Sequence, residues 1–241
     1  MTALQLARAV AARSAGAAGS RLSRLAAALQ DGAAADNHTG APRRDLTGDR
    51  EVEWSWCFGH LPHASRVLDF GSGNGFLSLG ASFAGNDVVA VDLEPQGWSF
   101  DAPTIEYRRG DFLTMQFDDA SFDHVVNCSS IEHVGLAGRY GSPDVADGDI
   151  DAMRKLERLL KPGGTMSFVA PVGRDAVFAP LHRVYGEQRL PRLLGDLEVV
   201  EEEFRAKITG SAWHPVTREV ALAEEGSRSY YAIGLFLLRR R

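Results

Sequence analysis

Three glycines within five residues follow a short apolar run in the segment VLDFGSGNGFLSLG, residues 67–80. Gly71, Gly73 and Gly75 carry no Cβ, so the chain can turn sharply there and another group can approach its backbone closely. The apolar run is typical of a strand and the residues after the glycines are typical of a helix. A glycine-rich turn at such a junction favours a nucleotide-type ligand beyond the end of the first strand.

The rest of the chain alternates between strand-like and helix-like segments. Strands are predicted at residues 66–70, 87–93, 104–111, 122–130, 165–172, 196–204 and 230–238, and helices at 50–61, 76–84 and 151–160. This alternation predicts an α/β fold, a Rossmann-like seven-stranded and mostly parallel sheet with helices on both faces. Ligands of such sheets bind beyond the carboxyl ends of the strands, which is where the glycines lie.

Residues 1–49 are predicted to be an extension of the domain formed by residues 50–241. Leu22, Leu25 and Leu29 recur at helical spacing and predict an amphipathic N-terminal helix. Residues 31–49 are polar and contain Gly and Pro, so we expect a loop or a lid. The extension is therefore expected to act as a helical cap.

Composition narrows the classes of partner. The formal net charge of −6 is unfavourable for binding a phosphate backbone, and no stretch is long and apolar enough to span a membrane. The two cysteines, Cys57 and Cys128, fit no metal-binding spacing and indicate a reducing compartment. We therefore expect a cytoplasmic protein that acts on a small molecule, without nucleic acid or membrane; its oligomeric state is left open.

The four aspartates of DVADGDID, residues 144–151, raise the question of a metal site. Their spacing departs from the calcium loop, which needs a glycine at its sixth position and a terminal glutamate. Asp149 and Asp151 are instead expected to cap the helix that follows. No metal is predicted.

The glycine spacing separates two kinds of cofactor. Dinucleotide sites require Gly-x-Gly-x-x-Gly, and the third of those glycines is replaced here by Phe76. The Gly-Lys-Ser/Thr ending of a kinase-type phosphate loop is also missing. Gly-x-Gly-x-Gly after a strand that contains Asp69 resembles motif I of the class I S-adenosylmethionine-dependent methyltransferases. The resemblance implies S-adenosylmethionine as cofactor.

Three further segments resemble that family in the same order along the chain: Asp92 at the end of the second strand, Gly110-Asp111-Phe112 after the third, and LLKPGGTMSFVAP around the fifth. The resemblance implies that Asp69 holds the methionine amino group and Asp92 the ribose diol. It also implies that Asp111 meets the adenine amino group while Phe112 packs on the ring. The implied cofactor-binding set is Asp69, Gly71, Ser72, Gly73, Gly75, Asp92, Leu93, Asp111, Phe112, Asn127 and Cys128.

A narrower resemblance involves CSSIEHVGLAGRYG (128–141), LHRVYG (181–186) and REVEWSW (50–56). These segments are similar to a little-characterised bacterial subgroup of the same family, whose members accompany carbohydrate or specialised-metabolite genes. The resemblance implies a small, polar acceptor that carries a hydroxyl or an amine. It makes five residues candidates for substrate binding: Arg139, Tyr140, His182, Arg183 and Tyr185.

His133 and Glu132, in the loop after the fourth strand, are the candidate catalytic residues. A hydroxyl acceptor must lose a proton, and histidine is the residue type whose titration near neutrality suits that task. Alternatively, His133 shapes the loop, and Glu132 either orients His133 or forms a structural salt bridge. Trp54 and Trp56 are candidates for covering the cofactor, with core packing as the alternative.

These features together predict a methyltransferase that transfers the methyl group of S-adenosylmethionine to an oxygen or nitrogen of a small polar molecule, a carbohydrate or a specialised metabolite. Two alternatives stay open. A nicotinamide-dependent oxidoreductase would use the same sheet, and a catalytically silent partner protein could keep the fold without turnover.

Overall fold

The computed structural model of the protein describes residues 41–100, 102–138, 140 and 144–241. The helix predicted around residues 22–29, most of the expected extension 1–49, and the candidate residue Arg139 lie outside the described residues. The division between an extension and a domain therefore stays a prediction.

Ten strands and five α-helices follow one another in the described residues. The helices are α1 (Asp49–Gly59), α2 (Phe76–Phe83), α3 (Gly148–Leu159), α4 (Arg189–Leu194) and α5 (Arg218–Ala223). The strands are β1 (Arg66–Phe70), β2 (Asp87–Asp92), β3 (Ile105–Arg109), β4 (Phe122–Cys128), β5 (Leu160–Val172), β6 (Ala176–Phe178), β7 (His182–Val184), β8 (Glu198–Ala206), β9 (His214–Val216) and β10 (Ala232–Arg239).

The main sheet has eight strands in the order β3-β2-β1-β4-β5-β10-β8-β9. Strand β1 pairs in parallel with both β2 and β4, so Leu68 lies beside Val89 on one side and Val125 on the other. Strand β10 runs antiparallel between β5 and β8. The mostly parallel Rossmann-like sheet is therefore confirmed, and each of the seven predicted strands is present in it.

The sheet differs from the prediction by one strand, because β9 adds an eighth at the edge. Strands β6 and β7 form a separate two-stranded sheet. Each of these three strands has only three residues. A run that short shows no alternation of polar and apolar residues, so the sequence pattern carries no signal for it.

Two apolar layers cover the sheet, as its unbroken apolar strands require. On one face, α3 buries Met153, Leu156 and Leu159. On the other face, α1 and α2 bury Trp56 and Leu77 against the strands. None of the helices among the described residues is long and apolar enough to cross a membrane.

Helix α3 begins differently from the prediction. Its N-cap residue is Asp147, which makes no side-chain capping bond, whereas Asp149 and Asp151 lie inside the first turn. The expectation that these two aspartates cap the helix is wrong, although acids there still face the positive end of the helix dipole. Asp149 is fully buried because Arg189 pairs with it across 2.5 Å, which no local pattern could indicate.

The strand order reverses beside β1, since the chain goes from β1 to β2 on one side and reaches β4 on the other. Connections that leave in opposite directions open a crevice at the carboxyl ends of β1 and β4. The residues that end the relevant strands (Phe70, Asp92 and Cys128) therefore lie around one crevice.

Candidate functional site

A cavity of about 510 Å³ lies at the carboxyl ends of β1, β2 and β4. The candidates from the sequence that line it are Asp69, Gly71, Ser72, Gly73, Asp92, Leu93, Asp111, Phe112, Cys128, His133 and Tyr140. These residues come from segments far apart in the chain. The fold therefore brings most of the predicted site to one place, and its volume is within the usual range for small-molecule and cofactor sites.

The three loop glycines have different reasons for lacking a side chain, although all three have positive φ. A Cβ on Gly71 would lie 2.2 Å from the Ser130 hydroxyl, and one on Gly75 would lie 2.4 Å from the Trp98 ring. A Cβ on Gly73 would meet nothing closer than a backbone oxygen at 4.0 Å. The outer glycines are thus required by protein neighbours, whereas Gly73 leaves room in the cavity. Gly75 itself is not part of the cavity lining.

The polar groups of the loop are mostly committed to the protein. The N–H groups of residues 71 and 72 donate to the Val91 carbonyl at 2.9 and 3.1 Å, and that of residue 75 donates to the Ser72 carbonyl at 2.8 Å. The N–H of residue 73 donates to the Asp92 carboxylate at 2.8 Å. A phosphate-binding loop needs such donors free at the start of a helix. The Ser72 hydroxyl is buried and has no hydrogen-bond partner among the described residues.

The charge of the cavity is predominantly negative. Four carboxylates line it, those of Asp69, Asp92, Glu94 and Asp111, against the single guanidinium of Arg50 among the described lining residues. Such a lining repels a pyrophosphate and attracts a cationic ligand.

Asp69 is the most deeply buried of these acids, with 2% of its surface exposed. Burial raises the pKa of its carboxyl to about 6, the charge of Asp92 adds to the rise, and a hydrogen bond from the Ser78 hydroxyl at 2.5 Å opposes it. Strand β1 supplies Asp69 and helix α2 supplies Ser78. An ammonium group in the cavity would stabilise the ionised form of Asp69.

Asp92 is the last residue of β2, and its carboxylate also fixes the glycine loop. Its carboxylate accepts from the N–H of Gly73 at 2.8 Å and from the N–H of Glu94 at 3.0 Å. Each carboxylate oxygen has a second lone pair, so hydroxyl donors can still be accepted. The Trp98 indole donates to the Gly73 carbonyl at 3.2 Å and covers the loop.

Asp111 and Phe112 lie in the turn after β3. The Asp111 carboxylate accepts from the N–H of Leu113 at 2.9 Å. The Phe112 ring is buried, with its centroid 4.7 Å from that of Phe70. No hydrogen bond of the described residues uses the N–H of Phe112. The turn thus places an acceptor and an amide donor on successive residues that line the cavity.

His133 belongs to a 3₁₀ turn, Ile131–His133, and lines the cavity. Its Nδ1 lies 2.5 Å from the Leu181 carbonyl oxygen. Because a carbonyl only accepts, Nδ1 carries a proton, and Nε2 is the atom that gains or loses the second one. Nε2 lies 3.7 Å from the carboxylate of Glu132, which is buried and not part of the lining. The Tyr140 ring meets the His133 ring edge-on, with centroids 5.6 Å apart.

Three other candidates for substrate binding do not reach the cavity. His182, Arg183 and Tyr185 are buried and absent from the lining. The Arg183 guanidinium donates to the Val134 carbonyl at 2.5 Å, and the Tyr185 hydroxyl donates to the Asp149 carboxylate at 3.1 Å. Arg183 thus supports the cavity wall at Val134 from behind, and the structure gives no support to direct contact of these three side chains with a substrate.

Asn127 is also buried outside the lining, on β4, and its amide has no hydrogen-bond partner among the described residues. Its predicted contact with the cofactor is therefore not supported by its position.

Arg50, Ser129 and Ser130 also line the cavity, although none of them was among the predicted site residues. Arg50 pairs with Glu53 across 2.6 Å, and the fully buried Glu53 accepts from the Ser129 hydroxyl at 2.5 Å. Burial raises the pKa of Glu53, and the charge of Arg50 opposes the rise. The signal was present, because residues 50, 53 and 54 lie at the i, i+3 and i+4 spacing of one helix face.

The two tryptophans of α1 have different surroundings. Trp54 lines the cavity and stacks on Phe76 with centroids 4.9 Å apart. Trp56 is buried in the core and donates to the Phe236 carbonyl at 3.3 Å. Trp54 is thus placed to cover a ligand, whereas Trp56 follows the alternative of core packing.

Sequence comparisons match this chain to methyltransferases. The chain is 27% identical over 173 residues to the demethylmenaquinone methyltransferase of Deinococcus radiodurans, over 64% of this chain and 66% of that enzyme. It spans 54% of the length of a Bacillus subtilis protein to which it is 28% identical. Residues 111–212 match a family model described as a Caenorhabditis protein of unknown function, DUF268.

Structural comparisons agree on the fold. The 1,6-didemethyltoxoflavin-N1-methyltransferase of Burkholderia thailandensis, with bound 1,6-didemethyltoxoflavin and S-adenosylhomocysteine, has a TM-score of 0.54 at 16% identity, over 80% of this chain and 78% of that one. The N-methyltransferase NodS of Bradyrhizobium japonicum, in complex with S-adenosylhomocysteine, has a TM-score of 0.53 at 16% identity, over 80% and 86%. The chain therefore has the fold of the class I methyltransferases.

Proposed function

We propose that this protein is an S-adenosylmethionine-dependent methyltransferase that methylates an oxygen or nitrogen of a small polar molecule. One observation carries the proposal: the glycine loop, Asp69, Asp92, Asp111 and His133 line a single cavity at the switch point of a methyltransferase-type sheet. The comparisons support the reaction class, since a relative in sequence and two neighbours in structure are methyltransferases.

The lining fits S-adenosylmethionine better than a dinucleotide. Its carboxylates favour a ligand with an ammonium and a sulfonium, and the loop N–H groups that would hold a phosphate are used within the protein. Asp69 would hold the ammonium and Asp92 the ribose hydroxyls. The Asp111 carboxylate with the Phe112 N–H matches the amino group and ring nitrogen of adenine. When bound, the cofactor supplies an electrophilic methyl group.

The chain's contribution to the transfer is positioning and proton removal. Holding the acceptor in line lowers the barrier without a chemical step by the protein. For a hydroxyl acceptor, Nε2 of His133 takes the proton while Nδ1 stays bonded to the Leu181 carbonyl. Glu132, 3.7 Å from Nε2, would stabilise the resulting imidazolium.

The acceptor is proposed to be a carbohydrate or specialised metabolite that enters beside Arg50, Trp54, His133 and Tyr140. These four residues line the part of the cavity formed by α1 and the loop after β4. We also propose that the chain belongs to the bacterial subgroup with the SSIEHVG-type segment and acts in the cytoplasm without nucleic acid or membrane. Both cysteines are buried free thiols, which suits that compartment.

Binding and turnover test the proposal separately. Calorimetry should show S-adenosylhomocysteine binding and no comparable affinity for NAD(H) or NADP(H). Mass spectrometry of a metabolite panel with S-adenosylmethionine should then reveal a product heavier by one methylene and release of S-adenosylhomocysteine.

Two results would favour the alternatives. Preferential binding of NAD(P)H, together with a change in the absorbance of the reduced cofactor during turnover, would favour an oxidoreductase. Cofactor binding without turnover on any acceptor of the panel would favour a silent partner protein.

A further inference from the structure

Lys155, on α3, is tied to the turn that forms one wall of the cavity but is not itself part of the lining. Its ammonium donates to the carbonyls of Phe112, at 2.5 Å, Leu113, at 3.3 Å, and Met115. An ammonium has three N–H donors, so these three carbonyls use all of them. The cation also lies over the Phe112 ring, 4.7 Å from its centroid.

The turn held by Lys155 also has hydrogen bonds of its own, and its Phe112, Leu113 and Met115 side chains pack in or against the core. Within it, the N–H groups of residues 114 and 115 donate to the Asp111 carbonyl at 3.0 and 3.1 Å, and that of Leu113 donates to the Asp111 carboxylate at 2.9 Å. Three carbonyls of one short turn directed at a single cation repel one another unless the cation is present. Lys155 therefore helps to fix the peptide group between Phe112 and Leu113, whose carbonyl it binds and whose N–H, that of Leu113, donates to the Asp111 carboxylate.

Peptide orientation decides what the turn offers to the cavity. A carbonyl that points to Lys155 sets the plane of its peptide, and with it the direction of the N–H in the same peptide. In this turn, the Leu113 N–H oriented in this way holds the Asp111 carboxylate, which is the acceptor, and the preceding peptide carries the Phe112 N–H, which no described residue uses. An acceptor next to a donor matches a base edge with an exocyclic amino group beside an unprotonated ring nitrogen.

We propose that Lys155 is a positioning residue that sets the base selectivity of the cavity, by holding the turn 111–115 so that an adenine edge is preferred over a hypoxanthine edge. Hypoxanthine reverses both groups, because its oxygen accepts and its ring nitrogen is protonated. The proposal rests on the proposed function, since it takes the turn to be the base-binding part of a nucleoside cofactor site. It assigns a role to a side chain that does not touch the cofactor.

The test compares S-adenosylhomocysteine with S-inosylhomocysteine by calorimetry on the full chain. The wild type should prefer the adenosyl ligand by at least about tenfold, the worth of a hydrogen bond to a charged group. Lys155→Met keeps the length and packing of the stem but removes all three hydrogen bonds. It should bring the two dissociation constants to within about threefold of each other, mainly by weakening the adenosyl ligand.

Two further variants separate positioning from general stability. Lys155→Arg keeps a cation that can donate to the carbonyls and should retain most of the preference. Lys161→Met removes a half-exposed lysine paired with Asp123 outside the cavity, and should leave the preference unchanged. If Lys155→Met does not fold, Lys155→Gln replaces it, with a smaller loss of preference expected.

The outcomes are distinguishable. Equal weakening of both ligands in Lys155→Met, with the wild-type preference intact, would overturn the role in selectivity and leave a structural tie. A wild type that binds S-adenosylhomocysteine without preferring it would do the same. A wild type that binds neither ligand would overturn the proposed function and this inference together.

Discussion

Single residues in the glycine loop show how one motif serves two purposes. Gly71 and Gly75 make room for Ser130 and Trp98, so their lack of a side chain is required by packing within the protein. Gly73 has free space beyond its Cα and lines the cavity, so its lack of a side chain leaves room for a ligand. The motif therefore combines structural and binding requirements, which separate only when the neighbours of each glycine are known.

Gly73→Ala should weaken S-adenosylhomocysteine binding by at least about tenfold, because a methyl group would occupy space that the ligand needs. Positive φ at this residue makes any side chain unfavourable by about 1–2 kcal/mol. Gly163→Ala is the matched control, since Gly163 also has positive φ and open space but lies outside the cavity. Calorimetry and urea unfolding of both variants should show similar losses of stability, and loss of binding only at Gly73. Equal affinities would refute the assignment of the cofactor to this loop.

His133→Ala separates proton removal from positioning. If the acceptor is a hydroxyl, turnover should fall by about 10²–10⁴-fold while the affinity for S-adenosylhomocysteine barely changes. His63→Ala is the control, because His63 is exposed, bonds to the Ala84 carbonyl and lies outside the cavity. Steady-state kinetics and calorimetry give both quantities. Near-normal turnover would rule out the base and favour an amine acceptor, whose neutral form already has a free lone pair.

At the scale of elements, the junction of β1 and α2 buries the Asp69 carboxyl, and burial disfavours its negative charge. Asp69 ends up beneath the glycine loop, bonded to Ser78 of α2, with its pKa raised to about 6 by burial. The free protein therefore carries a buried acid that releases its proton only at a pH of about 6, well above the usual range of an aspartate. A cationic ligand would reverse that preference, so stability and binding should depend on pH in opposite directions.

The folded protein holds the Asp69 proton between about pH 4 and pH 6, where the unfolded chain has already released it. Stability of the ligand-free protein should therefore fall as pH rises through this window, by up to about 3 kcal/mol for a rise of two pKa units. Asp69→Asn keeps an oxygen that accepts from Ser78 but cannot ionise. Its advantage over the wild type in urea unfolding should grow from pH 4 to pH 7.

The same acid predicts tighter binding of S-adenosylhomocysteine as pH rises through about 6, because the ionised carboxyl attracts the ammonium. Asp69→Asn should lose both the affinity and its pH dependence in calorimetry. A stability difference between the two proteins that stays constant with pH would contradict the burial of an ionisable Asp69.

Across the molecule, residues 44–47, just before α1, are attached to the C-terminal part of the chain. The Lys207 side chain is fully buried, and its ammonium lies 2.7 Å from the Asp45 carboxylate. The Trp213 indole donates to the Thr47 carbonyl at 3.1 Å, and Arg44 pairs with Glu224. Helix α1, which lines the cavity with Arg50 and Trp54, follows directly. The position of one cavity wall thus depends on contacts more than 150 residues apart in sequence.

Asp45→Asn should destabilise the whole protein, because it leaves the buried Lys207 ammonium without its counter-charge. Breaking a buried ion pair costs about 3–5 kcal/mol, and the partial exposure of Asp45 favours the lower value. Glu202→Gln, which breaks the half-exposed pair with Arg218, is the matched control and should have a much smaller effect. Urea unfolding measures both. A smaller loss for Asp45→Asn than for the control would mean that the pair does not secure this segment.

Much of this architecture followed from local pattern. Strand-like segments predicted seven of the eight strands of the main sheet, and central strands such as β1 and β2 were marked by apolar runs because they are buried on both faces. The order of the strands and the glycine turn then placed Asp69, Asp92, Asp111 and His133 at one edge, since parallel strands end together. The helix predicted at residues 151–160 is also present, as α3.

Other features depended on residues that meet only after folding. Arg183 and Tyr185 lie in a motif-like segment, yet they are bonded behind the cavity wall to Val134 and Asp149. In the sequence, Lys155 is one charged residue of an amphipathic helix. In the fold, its ammonium binds three carbonyls of a turn that is distant in the chain. Periodicity and spacing indicate on which face of a helix or strand a side chain lies, because they arise from the local backbone. The partner on that face is set by packing between distant segments, and it is the partner that distinguishes a ligand contact from a structural one.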